Sequence, residues 1–317
     1  MQRIVNLQKR LQDLRIDCFV VTKPVNIFYL LGLDVSTGMI VVENGSFELY
    51  LDGRYTTHAV QKGFKVSDKP LKERFKNFSK VVIEGEHITF SQYQEFCQAY
   101  PYGEFTSKMV VESLRIIKDS HEIELLKNAA HLTMDAMEKV FNVLKEGVRE
   151  EELLELVKSP SFTPIIAFGS NSAVVHHRPT NRKYSLNETV LVDLGVKKDH
   201  YMGDMTRTIN SPFISQVKEA HDVVIDFIKP GVQLKELDQL VKSKIPLKDH
   251  SLGHGIGLEV HERPFYKTDG EKILLPGMVI TVEPGLYYPN QGGARYESMV
   301  LVTETGSEVL TGKHSFF

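Results

Sequence analysis

Between Thr189 and Thr208 the chain reads TVLVDLGVKKDHYMGDMTRT, and this stretch limits the possible architecture most. Val190, Leu191, Val192 and Leu194 are apolar and β-favouring, and Asp193 is the lone charge among them. A second run carries Asp204, followed by Met205, Thr206 and Thr208. The pattern predicts two strands joined by a polar turn. An aspartate inside an apolar strand is costly unless something pairs with it. Two of them, eleven residues apart on neighbouring strands, can converge on one cation. Taken singly, each also reads as a turn-flanking residue or half of an ordinary ion pair.

Composition narrows the class. A length of 317 residues allows two domains and a sizeable core. A formal net charge of −3 gives no electrostatic case for nucleic acid or an anionic membrane. Two cysteines, Cys18 and Cys97, are too few for a disulfide framework or a thiolate zinc site. The start, MQRIVNLQKRLQDL, has the pattern of a charged amphipathic helix and not the apolar core of a signal peptide. No run approaches about 18 apolar residues, so no membrane span is expected. The expectation is a cytoplasmic protein.

Along the chain, residues 1–112 alternate helical and strand patterns, as in a small α/β domain. Strands are expected at Cys18 to Val21, Gly38–Val42, Phe47–Leu51 and Val81–Ile83, with a hairpin signal at Asn44-Gly45-Ser46. A second domain is expected over 113–317, making the whole chain α/β in the broad sense (α+β). It begins with the strongest helix pattern, Ile123, Leu126, Ala130, Met134, Met137, Phe141 and Leu144. Asp119 or Ser120 offers an N-cap, Glu122 a capping-box partner, and Gly147 a stop. Beyond it lie a short acidic helix, a strand over Thr163–Phe168, and a loop with the pair His176 and His177, which alone reads as exposed polar surface. HSLGHGIGLEVHERP, residues 250–264, lacks the lysine of a phosphate loop and the second histidine of a zincin helix. MVITVEPGLYY and ARYESMVLVT then add two strands, expected to form a hairpin, with Glu283 and Glu297 among residues that want burial.

Asp193, Asp204, Glu283 and Glu297 would repel one another in a common core and could not all ionise without cations. Two divalent ions would balance four carboxylates. With one imidazole from His254 and no thiolate, such a site favours Mn²⁺, Co²⁺ or Zn²⁺. Paired ions can activate water and polarise a carbonyl. The alternative is a structural network with Arg207, Arg295 and lysines.

PIIAFGSNSAVVHHRPT, LVDLG, DMTRT, HSLGHGIGLEVHE, TVEPG and RYESMVLVT resemble the motifs of the pita-bread metallopeptidases, in the same order. Within them the chain is similar to the Xaa-Pro group, aminopeptidase P and prolidase. CFVVTKPVNIFYLLGL and LDGRY are similar to the creatinase-like N-terminal domain of those enzymes. The resemblance implies a pita-bread catalytic domain that cleaves the peptide bond before proline by attack of a hydroxide shared between two metal ions, most simply Mn²⁺. It implies that Asp193 binds one ion and His254 and Glu283 the other, with Asp204 and Glu297 bridging both. His261 would steady the oxyanion, His176 would sit by the reacting amide, and Glu283 would carry a proton to the leaving nitrogen. His250 would line the proline pocket, and Arg295 would support the ligand carboxylates. A proline-containing peptide is the implied partner, and a homodimer the implied assembly. Val175 stands where many relatives have proline, and the segments between Glu150 and Phe162 and between Val241 and His250 are short. Methionine aminopeptidase-like activity, or an inactive binding module of the same fold, are the alternatives. The N-terminal domain argues against the first and the filled ligand positions against the second.

Overall fold

The computed structural model describes residues 1–312, in two compact units that divide between Leu114 and Arg115. The first unit is built on a five-stranded sheet. Its order is Ser46–Tyr50, Met39–Glu43, Cys18–Val21, Lys80–Ile83, Glu104–Ser107. The first three strands pair antiparallel with one another, and Lys80–Ile83 pairs in parallel with both Cys18–Val21 and Glu104–Ser107. The Asn44-Gly45 hairpin forms, with Gly45 at φ 82°. Cys18 is fully buried, and burial pushes its thiol up to about 12, so it acts as a small hydrophobe. Asp52 caps the helix Gly53–Gln61 by accepting from the Arg54 N–H.

The second unit opens with the helix Ser120–Asn142. Asp119 and Glu122 close a complete capping box at its start. It ends at Val143, not at Gly147, which instead turns at φ 84°. The acidic stretch after it is a 3-10 turn over Glu151–Leu156. Met137, Val140 and Phe141 of the long helix pack on Val190, Val192 and Leu194. A strand turns alternate side chains to opposite faces. Leu191 and Asp193 therefore face away from the helix, and Leu191 packs with Ile165, Ala167 and Tyr287. The strand Val190–Leu194 lies between Ile165–Phe168 and Met205–Ile209, with Asp193 opposite both Ile165 and Thr206. The expected polar turn is a two-residue hairpin, with Asp199 and His200 both at positive φ.

A second sheet runs Glu262–Phe265, His254–Gly255, Val279–Val282, Ser298–Val302, Ser307–Val309. The helices Ile214–Phe227 and Leu234–Lys242 cover it, burying Val217, Val224, Leu237 and Val241 against Ile280, Val282 and Val300. The expected hairpin forms in two pieces. Val279–Val282 pairs with Ser298–Val302, and beyond a break Gly285–Tyr288 pairs with Gly292–Arg295. Glu283 and Glu297 sit at that break. Asp204 likewise just precedes its strand, and only Asp193 lies inside one. Asp204 and Glu283, read as strand residues, thus lie at strand ends instead. A break frees a side chain from the in-and-out alternation, so three of the four turn inward without breaking a run of apolar residues. No helix among the described residues is long and apolar enough to cross a membrane.

The hairpin reaches the long helix through a glycine. A Cβ on Gly203 would stand 2.0 Å from Thr133 Oγ1 and 2.9 Å from the Ala129 carbonyl. Thr133 Oγ1 in turn accepts from the Val196 N–H at 3.0 Å. Gly203→Ala should therefore destabilise the protein by about 1–3 kcal/mol through overpacking. Denaturant unfolding reads this directly, and an unchanged midpoint would show that helix and hairpin do not press together there.

Candidate metal centre

Arg295 is 2% exposed and spends its guanidinium in three directions. Nη2 donates to Asp193 Oδ2 at 2.6 Å, Nη1 to Tyr287 Oη at 2.6 Å, and Nε to Thr206 Oγ1 at 3.1 Å. Thr206 Oγ1 in turn donates a hydrogen bond to Glu297 Oε2 at 2.7 Å. Arg207 does not join this network. It donates to the carbonyls of Thr206, Glu297 and Gly312, and lies 4.1 Å over the Tyr296 ring. Among the described residues, Arg295 is thus the one arginine or lysine that donates directly to any of the four carboxylates. Burial and mutual repulsion have the corresponding effect. Burial, then Glu297, Asp193 and Glu283, hold Asp204 well above the carboxylate range. Burial, then Glu297, does the same to Glu283, and burial with Asp193 raises Glu297 to about 8.

Asp204, His254 and Glu297 each offer one ligand atom, all within 4.8 Å of one another, and all three residues are buried. His254 Nδ1 lies 3.1 Å from the Gly255 carbonyl. That contact makes Nδ1 the protonated nitrogen and leaves the Nε2 lone pair facing Asp204 at 3.7 Å and Glu283 at 3.5 Å. Burial, with His261 beside it, lowers His254 to about 3, so it stays neutral and able to donate its lone pair. Asp193 Oδ1 is buried with no hydrogen-bond partner. An acceptor orphaned beside three carboxyls and a bare imidazole nitrogen fits a divalent cation.

These groups line one cavity of about 460 Å³ together with His176, His250, His261 and Arg295, so every sequence-predicted site residue meets there. Phe162, Ile165, Val175, Val260 and Phe265 form its apolar wall. The His261 ring stands edge-on to His254, centroids 4.3 Å apart. Burial, then His176, lowers the pKa of His261. His250 Nδ1 donates to the Ser251 carbonyl at 2.7 Å, so its Nε2 accepts from Tyr287 Oη at 2.9 Å. Burial, then Arg295, lowers His250 to about 4. Tyr287, which joins His250 to Arg295, escaped the sequence reading because a tyrosine in an apolar strand looks like core. Arg295 meets only one of the carboxylates it was expected to support.

Three further residues went unnoticed or misread. His177 is buried, not surface, and bonds Glu150 at 2.9 Å. Glu262, next to His261, turns away to ion-pair with Arg115, and with Lys118 at 3.0 Å. Those two cations hold its pKa down although burial pushes it up. The only signal in the sequence was their charge, and nothing in the order of residues says which charges meet.

Raised carboxyl pKa values mean that the metal-free folded protein binds protons the unfolded chain has released. Burial lowers His250, His254 and His261, which strengthens the folded state with rising pH only up to the ordinary histidine range, so a window above it isolates the carboxyls. Between pH 7 and 9 the chelator-treated protein should therefore lose thermal stability as pH rises through the folded pKa of Glu297. Saturating Mn²⁺ should flatten the profile. A melting temperature that rises over this window without metal would contradict the assignment.

Two family models match the chain: "Creatinase/Prolidase N-terminal domain" over residues 3–117 and "Metallopeptidase family M24" over 124–304. The "Xaa-Pro dipeptidase" of Pyrococcus furiosus is 34% identical over 98% of this chain and 97% of its own. Among solved structures, the prolidase from Pyrococcus horikoshii OT3 superposes with a TM-score of 0.92 at 29% identity, covering 99% of both chains. The Xaa-Pro dipeptidase from Bacillus anthracis also reaches 0.92 at 29% identity, covering 99% of this chain and 98% of that one. With over half its length matched by one family model and its two-part mixed α/β fold shared end to end with prolidase structures, the chain belongs to metallopeptidase family M24: a hydrolase with a creatinase-type N-terminal domain and a pita-bread catalytic domain.

Proposed function

We propose that this protein hydrolyses the peptide bond before proline, as a prolidase-like Xaa-Pro peptidase using two divalent ions, Mn²⁺ foremost. One observation carries the reading. Asp204, His254 and Glu297 present ligand atoms within 4.8 Å of one another on the wall of a peptide-sized cavity, beside an unpaired Asp193 oxygen. Asp193, Asp204, His254, Glu283 and Glu297 would hold the ions. Bound divalent ions would supply Lewis acidity and an activated water.

The chain's own residues supply the rest. Arg295 fixes Asp193 so that one oxygen stays turned to the site. The Gly255 carbonyl fixes His254 as the Nδ1–H tautomer. A neutral His261 can donate one hydrogen bond to the oxygen that gains charge as the carbonyl is attacked. Glu283 lies 3.5 Å from His254 and 3.8 Å from His250. It would deliver a proton to the leaving nitrogen, which departs as an amine only once protonated. His176 lines the same cavity and would hydrogen-bond the reacting amide. Val175, Phe162 and Phe265 offer an apolar wall, with His250 held by Tyr287, suited to a pyrrolidine ring.

Hydrolysis of Xaa-Pro dipeptides and Xaa-Pro-Yaa tripeptides, with Mn²⁺, Co²⁺ and Zn²⁺ compared, tests the proposal. Cleavage before proline is expected, and the ratio of the two rates tells a dipeptidase from an aminopeptidase. Inertness toward both peptides with all three ions would end the proposal. Asp204→Ala should abolish turnover and metal uptake while far-UV circular dichroism is retained. His176→Ala should lower kcat by about 100-fold at unchanged metal content, and an unaffected kcat would remove it from the chemistry.

A further inference from the structure

Behind His176 lies a buried anion that the mechanism does not use. Glu150 is wholly buried and accepts five hydrogen bonds. Oε1 receives the Phe168 N–H at 2.8 Å and Asn171 Nδ2 at 2.9 Å. Oε2 receives the Thr180 N–H at 2.9 Å, Thr180 Oγ1 at 2.8 Å and His177 Nε2 at 2.9 Å. Burial pushes its pKa up, but the bonds from His177, Phe168, Asn171 and Thr180 outweigh burial and hold it below the ordinary range. Its own backbone is tied to the far side of the same loop, Glu150 N–H to the Arg182 carbonyl at 3.1 Å. The donors stand at 168, 171, 177 and 180, so one carboxylate closes the whole segment from the end of the strand Ile165–Phe168 to Thr180.

His176 sits inside that closed segment. Its side chain is exposed to the cavity, and the fixed points are its neighbours. On one side the Val175 carbonyl lies 3.5 Å from Arg295 Nη1, the guanidinium that also holds Asp193. On the other the His177 ring is anchored on Glu150. We propose that Glu150 and His177 are positioning residues that set where the His176 imidazole stands relative to the metal-binding carboxylates. This rests on the role given to His176 above. A carboxylate with five donors is a rigid support, and a carboxamide cannot replace it, because its nitrogen would face donors.

Glu150→Gln should lower kcat for an Xaa-Pro dipeptide by about 10- to 100-fold, as expected for a misplaced group, with KM and metal content little changed. In a His176→Ala background the same substitution should cost less than about twofold, since the residue it positions is gone. A full multiplicative loss in the double variant, or wild-type kcat in Glu150→Gln, overturns the proposal. His177→Phe removes one of the five donors and gives the same two-way test should Glu150→Gln fail to fold. A second readout needs no turnover. The His176 imidazole NMR resonance, assigned by its absence in His176→Ala, should shift or broaden in both variants, and an unmoved resonance rejects the positioning role. If the wild type cleaves no Xaa-Pro peptide, the hydrolase proposal fails while the resonance still decides this one.

Discussion

Arg295 neutralises one carboxylate, and three more stand within the same cavity wall. That imbalance shapes the catalytic unit. Removing carboxylates from water is expensive, and mutual repulsion adds to the cost. Without cations the group can only hold protons, and Asp204, Glu283 and Glu297 all show raised affinity for them. The arrangement is unfavourable by itself, and the divalent cations that a metallopeptidase of this family needs would make it favourable. The fold must therefore be strong elsewhere. Two apolar clusters, one under the long helix and one under the helix pair behind the second sheet, supply that strength.

The layout follows from how strands end. Each half of the unit contributes a sheet whose ladder breaks near the centre, and Asp204, Glu283 and Glu297 occupy those breaks, while Asp193 stays inside its strand. Glu283 and Glu297 face each other where one hairpin passes between sheets. The Glu297 N–H donates to the Thr206 carbonyl at 3.1 Å, so the two halves are joined beside the residues they bring together. Small residues make the approach possible. Gly203 lets the Asp204 hairpin lie against the helix backbone, and a Cβ on Gly253 would meet the Thr281 carbonyl at 2.1 Å.

Around this acidic centre the remaining polar groups act in relays. Asp193, Arg295, Tyr287 and His250 form one chain of hydrogen bonds. Glu262, Arg115 and Lys118 form a buried ionic cluster next to His261, and Glu150 with His177 forms a buried hydrogen-bonded pair next to His176. His261 and His176 thus each adjoin a residue held by a strong anchor. Fully satisfied buried polar networks are rigid, which suits a site that must hold donors still while charge moves.

Much of this was legible in the residues alone. A run of apolar β-formers marked Val190–Leu194 as a strand, and the 3.6-residue period with Asp119 and Glu122 marked the start of the long helix. Acidic residues set among β-formers, with His254 in its glycine-rich run, marked the chemistry, because a charge placed among residues that want burial needs a partner. Local pattern could not reveal partners distant in the chain. Glu150 looked like the edge of a shortened helix, His177 like exposed surface and Tyr287 like core. Their roles depend on contacts across 27 residues for His177 and Glu150, and on a tyrosine hydroxyl between two side chains on separate segments. Residue types and their local order decided that this chain would gather carboxylates in an apolar interior. Which donors meet each one was decided only when the strands paired and the loops closed, because a hydrogen bond depends on distances that only the folded chain sets.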